Sequence, residues 1–274
     1  MEKQIRRLAV KECGVETLGV PNVEFRDTRR IKSTTIRVTK YGKRFGWVTL
    51  SGDSHIKMDI SNEFVWMEPN TNVDLVENKM EDLYICAPTA RIESYFCYDS
   101  VNAYDAAGLS YGLFHDTAHA GNLQKLAWRF KKKHPGEFER IFRELDIEKR
   151  RGRKLFTVGG EVLDLAALRG YRYIRKFIIA AYHPIMQQAQ HEQCLWWLKN
   201  VRNTNTRPFG FYSKKSEAVI LSLSVNMGAG GCRTFLRKVR DGGSENSRLE
   251  ELIRLVVKKH PSKERRIKEA LRVH

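Results

Sequence analysis

Residues 93–98 read ESYFCY and residues 104–115 read YDAAGLSYGLFH, and these two neighbouring stretches decide how the chain is read. The first suits the end of a helix that starts near Pro88. The second has the form of a tight hairpin, with a turn near Ala107 and Gly108 and aromatic residues on the return strand. A two-stranded ribbon by itself is marginal in water, so this one must pack over something. A cleft between two helical lobes is the natural place for it.

Working outward, the period changes to 3.6 from about residue 85. Leu123, Leu126, Ala127 and Phe130 fall on one helical face, and Phe138, Ile141, Phe142 and Leu145 repeat the spacing. Residues 165–181 read as one long helix broken before Pro184, followed by helices over 185–198 and 216–227, the latter apolar nearly all round. Leu249, Leu252, Ile253, Val256 and Val257 mark a final amphipathic helix, with Ser247 and Glu250 at capping-box spacing. Upstream, residues 34–39, 45–50 and 56–60 alternate apolar and polar side chains between Gly/Asp turns, the pattern of short antiparallel strands. The segment 24–67 is strongly basic, and residues 69–72 (PNTN) supply a linker. The expectation is an α+β protein: a small basic β domain over 1–70, joined to a mainly helical domain over 71–274 with a β-ribbon in its cleft.

Glycoside hydrolysis needs two carboxyl groups in opposite protonation states, one to protonate the leaving oxygen and one to activate water or stabilise positive charge. Glu93 lies among Ile92, Tyr95 and Phe96, where burial would suit a proton donor. Asp105, beside the Gly108 turn, is in wetter surroundings and suits a base. A Glu and an Asp twelve residues apart arise often by chance, so the order of the whole constellation carries the weight. Glu-Ser, then an Asp-x-x-Gly-x-Ser-x-Gly ribbon, then helices, resembles the lysozyme superfamily, in particular phage and bacterial peptidoglycan hydrolases and family 46 chitosanases. Residues 183–190 (HPIMQQAQ) are similar to the P-x-M-x-x-A-Q helix of those enzymes, and residues 216–228 to their buried central helix. The resemblance covers about 93–230. It implies a two-lobed lysozyme-like domain, Glu93 as acid, and Asp105 as base or substrate ligand. Two departures, Ser94 where chitosanases carry Asp, Asn or Gln and Ala107 where they carry Arg or Asp, favour peptidoglycan over chitosan. A lytic transglycosylase, which manages with the Glu alone, stays open.

Further candidates have two readings each. Ser110 and Tyr111 either bind substrate or are ordinary strand residues. His115 either lines the cleft or is a satisfied structural histidine. Gln190 reaches the cleft floor or buttresses the Glu93 helix on one reading, and is a buried amide bonded to backbone on the other. Asn226 either lines the cleft or caps its helix. Gly228, Gly230 and Gly231 follow a helix and not a strand, which excludes a dinucleotide loop. His115, Asp116 and His119 lack a second cluster to complete a metal site. No metal or organic cofactor is expected.

The chain has 274 residues and a formal charge of +17. Such a surplus implies a polyanionic partner: an anionic wall rich in carboxylates and phosphates, or nucleic acid gripped by the basic strands around Tyr41, Phe45 and Trp47. Cys13, Cys86, Cys97, Cys194 and Cys232 form no Cys-x-x-Cys pair and are expected as reduced thiols of a protein made in a reducing cytoplasm. The basic N-terminus lacks the apolar core of a secretory signal, and no run reads as a membrane span. Action on a wall would require release, injection or assembly into a particle.

Overall fold

A computed structural model describes residues 22–28, 33–40, 43–51, 55–60, 80–94, 98, 100–102, 108–169, 171–181, 183–240 and 242–273. The expected linker at 69–72, the ribbon turn at Ala107, Asp105, Cys13 and Cys97 lie outside these. The protein is α+β and mainly helical from residue 80 onward. It divides into two compact units, one of residues 1–71 and 94–190, the other of 72–93 and 191–274. These units are drawn along different lines from a cut at residue 70.

The first unit carries an antiparallel meander, β1 (Asn22–Thr28), β2 (Ser33–Lys40), β3 (Lys43–Ser51) and β4 (His55–Ile60). Its register aligns Phe25, Ile36, Val48 and Met58 in one cross-strand row and Arg26, Thr35, Thr49 and Lys57 in the next. That alternation is the two-residue period read from the sequence. A pairing of Lys57 with Asn102 continues the sheet into β5 (Val101–Asn102), β6 (Ser110–Tyr111) and β7 (Asp116–Thr117). The ribbon is therefore not a lone two-stranded hairpin. It is one end of a seven-stranded sheet ordered β1 to β7.

Helices α2 (Asn122–Lys133) and α3 (Pro135–Phe142) come next in this unit, and α4 (Tyr171–Ala181) later. Leu123, Leu126, Ala127 and Phe130 of α2 are all buried, as their spacing requires. The helix expected to run on to Leu145 stops at Phe142, because Arg143 adopts φ 50°. Leu145 instead opens β8 (Leu145–Arg150), which pairs with β9 (Arg153–Val158) and then β10 (Glu161–Val162). Both turns have two consecutive residues at positive φ, Arg151-Gly152 and Gly159-Gly160, the requirement of tight primed hairpins. This second sheet corrects the expectation that the ribbon is the only β structure beyond residue 85. The helix expected over 165–181 is likewise divided, into a 3-10 turn at Ala167–Arg169 and α4.

Phe177 of α4 organises the core of this unit. Its ring lies 5.1 Å from Tyr111 on the ribbon, 5.1 Å from Phe142 on α3 and 6.1 Å from Phe156 on β9. Offset and edge-on contacts of this kind add to the area that each ring buries.

The second unit begins with α1 (Met80–Ser94, of which Ser94 belongs to the first unit). Pro88 lies inside α1 and does not start it. Helix α5 (Pro184–Val201) spans the division between Gln190 and His191, and it leads into a π-turn at Arg202–Thr206 and a 3-10 turn at Arg207–Phe209. The centre is α6 (Lys214–Leu236), whose residues 216–224 are all buried. Ser213 caps α6 by accepting from the Ser216 amide. By length and composition α6 is the one helix among the described residues apolar enough to cross a membrane, but half of its most apolar window is buried within the fold. Helices α7 (Glu245–Lys259) and α8 (Glu264–Ala270) complete the unit. The cap of α7 is Ser244, bonded to the Ser247 amide, so Ser247 sits one turn inside the helix and is not its cap. Cys86, Cys194 and Cys232 are buried and form no disulfide. Burial raises the Cys86 thiol well above its ordinary range and pushes Cys232 up to about 11.

His191 is buried in the second unit, and desolvation pulls its pKa from 6.5 down to about 4. The folded state thus favours the neutral ring, and this contribution to stability is present above pH 6.5 and lost as pH falls towards 4. Urea titrations should show stability declining across that window by up to about 3 kcal/mol. A His191→Phe variant should show a shallower decline.

Candidate functional site

The candidate site on the ribbon is built around one amide. Gln190, on α5, is 2% exposed. Its Oε1 accepts from the Leu113 amide at 3.0 Å, and its Nε2 donates to Tyr98 O at 2.9 Å and to Tyr111 Oη at 3.2 Å. One side chain thus holds both sides of the ribbon. Gly112 makes this possible: it sits at φ 77°, and a Cβ there would lie 2.5 Å from Gln190 Oε1. The Gly112 amide donates to Ser100 O at 2.8 Å, and the His115 amide donates to Gly112 O at 3.0 Å. The resulting turn puts His115 in the left-handed region, φ 47°, with its Nε2 2.6 Å from Ser100 Oγ. His115 is half-buried, whereas Asp116, the next residue, is 4% exposed.

Ser94, the residue after Glu93, is buried and donates to Leu113 O at 3.0 Å. The backbone of the ribbon therefore accepts from the residue that closes α1 on one atom of Leu113 and donates to Gln190 through another. Ser110 and Tyr111 are wholly buried. In this arrangement they shape the ribbon from within and present no surface to a ligand, the ordinary strand reading of both. Gln190 likewise takes the buried-amide reading.

Glu93 belongs to the second unit. Its Oε1 lies 2.7 Å from Arg266 Nη1, with the two side chains 13% and 9% exposed. The apolar surroundings expected for Glu93 thus include a cation. Arg266 Nη1 also lies 3.4 Å from both O and Oγ of Ser222 on α6. Asn226 is exposed on the same helix, two residues before Gly228, where φ 77° and ψ 150° break the helical path. Asn226 thus lies at the end of the first helical run of α6, as expected, and a second run follows beyond the kink. Asn205, in the π-turn, braces that kink: its Nδ2 donates to Ser224 Oγ and to Ala229 O, both at 2.9 Å. Nearby, Arg202 grips Glu217 through two bonds of 2.8 and 2.7 Å and reaches Asp82 at 2.7 Å. The bonds to Glu217 hold the Arg202 charge more firmly than an isolated guanidinium holds its own.

Ser100, Asn205 and Arg266 make the contacts of the candidate site that sequence reasoning misses, and the bond of Ser94 to Leu113 is likewise unforeseen. Ser94 has a signal in the sequence, since it directly follows the candidate acid Glu93. The others have none, because short polar residues bonded to distant backbone obey no local pattern. No protein-family model, curated protein or solved structure matches this chain.

Gly112→Ala should cost about 1–3 kcal/mol through backbone strain and loss of the Gln190 approach. Gln190→Leu should cost a similar amount. Because both changes break one network, the double variant should be destabilised by clearly less than the sum in urea unfolding.

Proposed function

We propose that this chain is a peptidoglycan hydrolase of the lysozyme-like kind, cleaving the β-1,4 bond between N-acetylmuramic acid and N-acetylglucosamine. Glu93 would protonate the leaving oxygen, and Asp105, outside the described residues, would activate water on the opposite face with inversion. The observation that carries the reading is the bond from Ser94 to Leu113 O. It ties the residue after the acid to the glycine-turned ribbon, the order of parts that the resemblance calls for. Of the other candidates, His115 and Asn226 have surface to offer a sugar, while Gln190, Ser110 and Tyr111 hold the scaffold. The reaction as proposed uses no cofactor. The +17 charge suits a wall bearing carboxylates and phosphates.

The Arg266 pair bears directly on the acid. For Glu93 to deliver a proton, its carboxyl must exchange the guanidinium for the glycosidic oxygen when substrate binds. Arg266 has five donors and keeps Ser222 as an acceptor when that happens.

Purified protein should clear a turbid peptidoglycan suspension, with new reducing ends released. Glu93→Gln should reduce the rate by at least about 10²-fold, the lower range of general acid catalysis. It should also destabilise the fold, since removing one partner of a largely buried pair leaves the other uncompensated. Glu93→Gln combined with Arg266→Met should recover stability but no activity, which separates the two roles. A Glu93→Gln variant retaining more than a tenth of the wild-type rate would remove Glu93 from the mechanism. Asp105→Asn should be slowed severely if water is activated there. Full activity in Asp105→Asn, with anhydro-sugar ends, would identify a transglycosylase.

A second reading, nucleic-acid binding, rests on the basic residues interleaved along β1–β4, where Arg26 and Lys57 share one cross-strand row. Tight, salt-sensitive retention of duplex DNA together with inert behaviour towards peptidoglycan would favour it.

A further inference from the structure

We propose that the surface where α6 and α7 end binds the phosphate groups of a wall polymer such as poly(glycerol phosphate). This inference rests on the wall-hydrolase reading and adds a second contact to it, separate from the basic strands. The Nζ atoms of Lys238, just past α6, and Lys259, the last residue of α7, lie 5.9 and 5.8 Å from the centroid of the same ring, Phe235. The His260 ring packs on Phe235 at 5.7 Å. Lys258 adjoins, and Lys263 and Arg265 follow four and six residues after Lys259. Lys238, Lys258, Lys259 and Arg265 are exposed.

Four carboxylates of α7 and α8 are engaged in other pairs. Glu245 bonds Ser213, Glu251 takes Arg240 and Arg254, Glu264 takes Lys268, and Glu269 takes Arg91 and Arg272. Cations in the last turn of α7 complement its own dipole. Lys238 stands in the same relation to the end of α6, and Phe235 brings the cations of both helix ends to one ring. Like charges gathered around one ring repel, and a chain of phosphates relieves the repulsion. The ring at the centre is 6% exposed and offers no face for a nucleobase to stack on. A phosphodiester chain without bases therefore fits better than single-stranded nucleic acid.

The test uses the full chain with Lys238→Gln and Lys259→Gln together, in co-sedimentation with walls bearing poly(glycerol phosphate) and with the same walls chemically stripped of phosphate. Wild type should be retained several-fold more strongly by the phosphate-bearing walls at about 0.1 M salt, and the preference should vanish near 1 M, where the Debye length falls to about 3 Å. The double variant should lose most of the preference while cleaving soluble oligosaccharides at the wild-type rate. Lys263→Gln with Arg265→Gln, two changes outside the pair that flanks Phe235, should weaken retention in the same direction and serves if the first pair misfolds. Unchanged retention in both variants would overturn the proposal. So would a loss confined to duplex DNA, which would mark a nucleic-acid surface instead. If phosphate-dependent retention and its loss hold while wild type cleaves nothing, the surface stands and the hydrolase reading falls. If cleavage holds and retention ignores these lysines, the surface alone falls.

Discussion

The ribbon depends on a primary amide in a place where only a primary amide will serve. Gln190 gives two donors and one acceptor from a single planar group, and the ribbon presents the complementary set: Tyr98 O, Tyr111 Oη and the Leu113 amide. A glutamate could not donate, and a leucine would leave buried backbone groups unsatisfied, each costing about 1–3 kcal/mol. The approach also demands that residue 112 have no side chain, so Gly112 and Gln190 are one constraint expressed at two positions. Residues beyond Gly112 inherit that constraint. The turn there sets the left-handed backbone of His115, and that backbone sets the 2.6 Å meeting with Ser100.

The second unit meets a similar problem by other means. Its central helix departs from regular geometry at Gly228, and a π-turn precedes that helix in the chain. Both irregularities free backbone groups that would be costly to bury alone. Asn205 bridges the kink from Ser224 to Ala229, while Arg202, in the same π-turn, is held by Glu217 and Asp82. The serines scattered through an otherwise apolar run thus have work assigned by position. Ser224 receives Asn205, and Ser222 faces the guanidinium that also holds Glu93.

Legibility depends on locality. Strands β2, β3 and β4 and helix α2 are readable because their periods are written in adjacent residues and nothing distant overrides them. Leu145 misleads because it completes an i, i+3, i+4, i+7 series by coincidence, whereas the break depends on the backbone at Arg143. The β8–β10 sheet has a usable signal, the Arg-Gly and Gly-Gly turns, which the surrounding helical pattern outweighs. Proline favours first turns, and that preference points to Pro88 as a helix start, yet it lies well within α1. At the candidate site, the sequence offers Glu93 and Gln190 but not their partners. Arg266 and Tyr98 are brought to them by the fold, and spacing along the chain carries no trace of that.

The pairing of Glu93 with Arg266 constrains how the proposed chemistry can be organised. A carboxyl placed in an apolar pocket is prepared for proton donation by burial alone, and the pocket needs no change when substrate arrives. A carboxyl paired with a largely buried guanidinium is prepared differently: it already faces a cation 2.7 Å away. The proton must then come with a change of partner, so substrate binding has to supply what displaces Arg266. Ser222 on α6 already offers the guanidinium two acceptor atoms at 3.4 Å, which would remain available to it after such an exchange. On the proposed reading, Arg266 and Ser222 are therefore positioning residues for Glu93. On that same reading the acid would draw on three residues, from α1, α6 and α8, rather than on a single side chain at a helix end.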